Sequence, residues 1–87
     1  MSGTRDPVLR RPDGSPVRVL VVDDETPLAE LLSMTVRYEG WRAYTAADGA
    51  SALRQAREHR PDAVILDIML PDMDGLAVLK RLHDDTP

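Results

Sequence analysis

Two apolar runs in the chain lead directly into aspartate: Val19-Leu20-Val21-Val22 into Asp23-Asp24, and Ala63-Val64-Ile65-Leu66 into Asp67. A run of four β-branched or aliphatic residues predicts a strand buried on both faces, and charges at its end cannot belong to that core. Side by side in a parallel sheet, two such strands bring three carboxylates to the carboxyl edge, where open α/β folds place their ligands. Three close carboxylates repel one another unless a proton or a cation sits between them. A hard divalent metal bound through oxygen relieves that repulsion most directly, and Mg²⁺ is the expected ion.

The elements that must position these acids follow from the rest of the chain. Residues 1–16 carry Gly3, Pro7, Pro12, Gly14 and Pro16 among Arg and Asp without periodicity, which predicts a disordered tail. The first strand is expected over Val17 to Val22. Thr26-Pro27 supplies a helix start, with Thr26 as N-cap hydroxyl and proline at the first helical position. Leu28, Leu31, Leu32, Thr35 and Val36 follow at helical spacing and predict one apolar face. Gly40 is expected to end this helix as a left-handed cap. A short second strand over Trp41 to Ala46 precedes a second helix from about Ala50 to Glu58, which buries Ala52, Leu53 and Ala56. Pro61 breaks the chain before a third strand, Asp62 to Leu66. Leu76, Leu79 and Leu82 mark a third helix that starts near Asp74-Gly75 and fades by Asp84-Asp85. The βαβαβα pattern implies parallel strands joined by right-handed crossovers.

Composition narrows the class. Eighty-seven residues make one small domain, and a hydrophobic share of 43% with 30% charged residues is ordinary for a globular chain. A net charge of -4 argues against nonspecific nucleic-acid binding by this segment. Without cysteine there is neither a disulfide framework nor a thiolate zinc site. No run reaches membrane-spanning length and the first residues lack the apolar core of a signal peptide, so a cytoplasmic protein with no membrane partner is expected.

The string Val19-Leu20-Val21-Val22-Asp23-Asp24-Glu25 resembles the first strand and acidic pair of the receiver domain of two-component response regulators. Asp67-Ile68-Met69-Leu70-Pro71-Asp72-Met73-Asp74-Gly75 resembles the phosphoacceptor strand end and following loop of that family, and Thr45-Ala46-Ala47-Asp48-Gly49 fits the segment between. The resemblance runs from about Val17 to His83 and is most similar to the subfamily with a winged-helix DNA-binding output domain. It implies a flavodoxin-like, doubly wound parallel sheet with strand order 2-1-3, with residues 17–87 forming the N-terminal part of a receiver. It also implies that Asp67 accepts a phosphoryl group from a sensor histidine kinase. Asp24, Asp67 and the Met69 backbone carbonyl would bind Mg²⁺ directly, and Asp23 through a metal-bound water. Pro71 and Gly75 would shape the loop beside the site. Receiver–receiver association is a further expectation.

A complete receiver has two further β/α units, which the chain up to Pro87 does not supply, so a partial fold is expected. The family's Ser or Thr that senses the phosphoryl group and its lysine that pairs with the phosphoryl oxygens belong to those units. Thr86 lies too soon after Asp67 for the first role, and Lys80, in the third helix, reads as an ordinary surface lysine. The third strand is then expected to present an exposed edge carrying Val64, Ile65 and Leu66.

Simpler readings cover several other polar residues. Glu25 reads as a helix-start acid, favoured there by the macrodipole. Asp72 and Asp74 read as loop and cap residues, since an EF-hand in their register would put Leu70 and Arg81 at its first and last ligand positions. His59 and His83, at helix ends, are expected to be solvated. Two alternatives to phosphorelay signalling stand beside it. One is a truncated receiver that occupies a kinase or receiver partner without passing the signal on. The other is a Mg²⁺-dependent phosphohydrolase using Asp67 as nucleophile, disfavoured because haloacid-dehalogenase-like phosphatases carry a second aspartate where this chain has Met69.

Overall fold

A computed structural model describes residues 10–67 and 69–85. Its elements run β1 (Arg18–Val22), α1 (Thr26–Tyr38), β2 (Arg42–Ala46), α2 (Gly49–His59), β3 (Ala63–Leu66) and α3 (Gly75–Asp85). The three strands form one parallel sheet in the order β2-β1-β3, as expected of the doubly wound fold. The register places Val22 opposite both Ala46 and Leu66, so the carboxyl ends of all three strands are level.

β1 is the centre of the packing. Leu20 and Val22 point to one face and join Ala46, Ala52, Leu53 and Val78 under α2 and α3. Val19 and Val21 point to the other and join Ala29 and Val36 under α1. This strand meets the expectation of burial on both faces. β3 does not. Val64 and Leu66 pack against the α2/α3 cluster, whereas Ile65, on the opposite face, is 41% exposed. The expected apolar edge therefore reduces to one large residue, because α1 packs on β1 and β2.

The helices turn different faces inward than leucine spacing suggests. α1 buries Ala29, Ser33 and Val36, with Leu32 half-buried, and leaves Leu31 59% exposed and Thr35 exposed. The sequence supports two overlapping periodic sets, and the one with small residues lets the helix approach the sheet closely. In α3 the inward positions are Gly75, Val78 and Leu82, and Leu79 is 52% exposed. α2 buries Ala52 and Leu53 with Ala56 packed beside them, as read from the sequence.

Helix boundaries follow local chemistry. Glu25, not Thr26, is the N-cap of α1 and makes no side-chain cap bond; Thr26 and Pro27 occupy its first turn. Gly40 follows the helix at φ +84°, a left-handed position that costs glycine little. At the start of α2, Asp48 accepts from Ser51 N–H at 2.7 Å. Arg60 ends α2 at φ +49° ahead of Pro61. No helix among the described residues is long and apolar enough to cross a membrane.

Residues 1–9 of the expected tail lie outside the described residues, and residues 10–16 depart from it. They fold into a turn closed by an Arg10–Pro16 antiparallel bridge, with Gly14 at φ +87°. Asp13 stabilises the turn by accepting from the backbone N–H and hydroxyl of Ser15, at 2.9 and 2.6 Å. Arg11 then reaches Asp62 at 2.7 Å, just before β3. The other Asp62 oxygen accepts from Arg18 N–H at 2.9 Å. Composition could not show this anchor, because its partner lies 51 positions away.

The Arg18 N–H and the Arg11 guanidinium hold the Asp62 carboxyl below its ordinary pKa. A depressed carboxylate contributes stability that is complete above the unfolded pKa of about 3.9 and is lost as pH falls through the lower folded value. Urea midpoints followed from about pH 6 down to about pH 2 should therefore fall at the acid end. Asp62→Asn should flatten that acid limb; an unaltered limb would mean that the contact carries no linkage.

Candidate functional site

The backbone ladder of β1 fixes the acids. One residue past the strand, Asp23 N–H donates to Ala46 O at 3.0 Å, while Asp67 N–H donates to Val22 O at 2.9 Å. These bonds pin Asp23 and Asp67 to neighbouring strand ends before any side-chain contact is considered. Asp23 and Asp67 are half-buried and Asp24 is exposed. One carboxylate oxygen from each of the three lies within 4.8 Å of the other two. The three acids that the sequence places at one sheet edge thus lie together there.

Local hydrogen bonds orient two of them. Asp23 Oδ1 accepts from Glu25 N–H at 2.9 Å, and Asp67 Oδ1 accepts from Met69 N–H at 3.0 Å. Among the described residues no hydrogen bond reaches Asp67 Oδ2, which leaves that oxygen available to a cation or an electrophile. Glu25 is exposed at the head of α1 and stands outside the cluster. Its role is that of a helix-start residue, as its position suggested.

The cluster offers three carboxylate oxygens, the donor type that a hard cation takes. Oxygens around an octahedral Mg²⁺ at about 2.1 Å stand roughly 3 to 4.2 Å apart. The three oxygens here lie within 4.8 Å of one another, a limit somewhat wider than that packing. Mg²⁺ keeps several waters and takes few carboxylates, a habit that matches a site open to solvent at Asp24.

The loop after Asp67 closes on itself through an antiparallel bridge between Met69 and Asp74. The Met69 side chain is 82% exposed, and its backbone meets the cluster through the N–H that donates to Asp67 Oδ1. Asp74 caps α3: its Oδ1 accepts from Leu76 N–H at 2.9 Å and its carbonyl from Ala77 and Val78 N–H. Asp72 caps a different helix. Its two oxygens accept from Gly49 and Ala50 N–H at the start of α2, at 2.7 and 3.1 Å. Sequence spacing gave no sign of this cap, because donor and acceptor belong to separate elements.

Of the remaining polar residues, Lys80 and His83 are exposed on α3, and Thr86 lies outside the described residues. His59, expected to be solvated, is half-buried and stacks on Tyr44 with ring centroids 3.9 Å apart. Its carbonyl accepts from the Arg18 guanidinium at 2.7 Å.

A parallel sheet in the order β2-β1-β3, helices on both faces and an acidic cluster at the carboxyl edge define a doubly wound α/β protein with its site where that fold places ligands. Residues 19–87 match the response regulator receiver domain family, and the chain belongs to it. It is 61% identical over 79 residues to the "Probable transcriptional regulatory protein TcrX" of Mycobacterium tuberculosis, covering 91% of this chain and 34% of that protein. It is 48% identical over 69 residues to the DNA-binding response regulator MtrA of the same organism, covering 79% of this chain and 30% of that protein. The chain thus spans about a third of the length of these curated relatives. A CheY-like receiver domain protein from Methanospirillum hungatei superposes with a TM-score of 0.81 at 30% identity, over 84% of this chain and 58% of that one. The Thermotoga maritima response regulator TrrA, crystallised in complex with Mg(2+)-BeF, gives 0.76 at 38% identity, over 80% of this chain and 61% of that one.

Mutual repulsion among Asp23, Asp24 and Asp67 should make the cation-free edge a source of instability. In a chelator-treated sample, Asp24→Asn should raise the melting temperature by about 4–8 °C, equivalent to ~1 kcal/mol for a domain of this size. Calorimetry showing an unchanged or lowered value would mean that solvent already screens the cluster.

Proposed function

We propose that this receiver takes part in phosphorelay signalling, with Asp67 as the residue that accepts a phosphoryl group from a sensor histidine kinase. The observation that carries the reading is the half-buried Asp67 carboxylate beside two further acids at the sheet's carboxyl edge. The Asp67 oxygen would attack phosphorus, the bond from phosphorus to the donor imidazole nitrogen would break, and the acyl phosphate would remain on Asp67. Met69 N–H, bound to Oδ1, holds the carboxylate so that its other oxygen faces the incoming group.

Asp24 and Asp67 would hold Mg²⁺ directly together with the Met69 carbonyl, and Asp23 through a bound water. When bound, the ion supplies positive charge that offsets the phosphoryl oxygens and the neighbouring acids. The closeness of the three carboxylates, within 4.8 Å of one another, supports their part in this donor set. In a longer protein the receiver would control transcription, as the names of the regulators it resembles suggest. Residues 17–87 would be the receiver portion of such a protein. The phosphohydrolase reading is weaker, because the apolar Met69 side chain offers no acid or amide to direct an attacking water.

Acetyl phosphate with Mg²⁺, read by intact mass, tests the assignment. The acetate leaves as its bond to phosphorus breaks, and the chain should gain about 80 Da as one phosphoryl group. Asp67→Asn should abolish the gain. Acetyl phosphate consumed without a stable adduct would favour the hydrolase, and no reaction would favour a binding module.

A further inference from the structure

We infer that Asp72 is a positioning residue for the metal site, acting by latching the loop that carries Met69 onto the start of α2. The inference rests on the proposed donor set of Asp23, Asp24, Asp67 and Met69. Asp72 is no ligand itself: both of its oxygens are engaged by Gly49 and Ala50 N–H, at 2.7 and 3.1 Å. Those two donors belong to the first turn of α2, where backbone N–H groups have no partner within the helix. The loop thus completes the helix, and the helix fixes the loop.

A second contact closes the same joint. A Cβ on Gly49 would stand 2.5 Å from Met73 Sδ and 2.9 Å from Met73 Cβ, so only glycine admits Met73 at this depth. Gly49 is buried, and Met73 joins the cluster under α2 and α3. The tip of the loop is therefore held by a two-oxygen hydrogen-bonded cap and by packing. Its base is held by the Met69–Asp74 bridge. Met69 has no buried side chain to place its backbone, being 82% exposed. The position of its carbonyl depends on the loop's two ends.

Releasing the tip spreads the Met69 backbone over more conformations, of which a fraction is competent to bind. Apparent affinity falls in proportion to that fraction. The requirement is for acceptors more than for charge, so an amide at position 72 keeps one of the two bonds and should act partially.

Mg²⁺ titration of the full 87-residue chain, followed by amide chemical shifts, tests the latch. Asp72→Ala should raise the Mg²⁺ dissociation constant by roughly 10-fold, at the low end of the losses seen when groups behind metal ligands are removed. Asp72→Asn should fall between that variant and the unaltered chain, and it remains informative if the alanine variant does not fold. Asp48→Ala removes the helix's own cap on Ser51 N–H without touching the loop. It should lower the melting temperature while keeping Mg²⁺ affinity within about twofold. Unchanged affinity in both Asp72 variants, or an equal loss in Asp48→Ala, would overturn the latch. Asp24→Asn separates the underlying reading: if that variant binds Mg²⁺ as tightly as the unaltered chain, the donor set fails and the latch fails with it.

Discussion

The parallel ladder on both sides of β1 is the constraint from which the site follows. Val22 sits opposite Ala46 on one side and Leu66 on the other, so adjacent strands finish at the same height. The bonds from Asp23 N–H to Ala46 O and from Asp67 N–H to Val22 O carry the register one step beyond the strands. A one-residue slip of β3 would turn its side chains to the opposite face, removing Val64 and Leu66 from the core. The apolar burial that fixes the register therefore also fixes the carboxylates.

β3 depends on polar ties more than β1 does. It has one strand neighbour among the described residues, and only Val64 and Leu66 pack into a core cluster. Just before it, Asp62 joins β1 through Arg18 N–H and the N-terminal turn through Arg11. Beyond its carboxyl end, Asp72 joins α2 through two backbone N–H groups. Both carboxyls are held below their ordinary pKa, Asp62 chiefly by Arg18 N–H and Asp72 chiefly by Gly49 N–H. These acids differ in kind from the edge cluster. Asp62 and Asp72 each receive donors at both oxygens, whereas Asp23 and Asp67 receive a local N–H at one oxygen and stand beside each other and Asp24.

The pattern explains which features were legible in the sequence. The Val19–Val22 and Ala63–Leu66 runs, each followed by aspartate, predict neighbouring strands and a shared acidic edge, and the structure has both. The inward face of α1 was legible at Leu32 and Val36 but not at Ala29 and Ser33, with which Leu28, Leu31 and Thr35 compete for the same periodicity. Close packing against the sheet selected the smaller residues. Leu76 and Leu79 misled for the same reason in α3, where Gly75 and Val78 face inward. The partners of Asp62 and Asp72 were beyond reach, since each meets donors brought near only by the fold. Thr26 looked like a cap by residue type, yet Glu25 holds the extended backbone that a cap position requires.

Folding gathers three carboxylates whose mutual repulsion a divalent cation would relieve. The direct measurement is the melting temperature of the 87-residue chain as Mg²⁺ rises at constant ionic strength. A cation bound only by the folded chain should raise stability steadily above its dissociation constant, by about 1.4 kcal/mol for each tenfold increase. Asp67→Asn should start from a higher metal-free melting temperature and respond little to Mg²⁺. A melting temperature indifferent to Mg²⁺ in the unaltered chain, or an equal response in Asp67→Asn, would contradict the account.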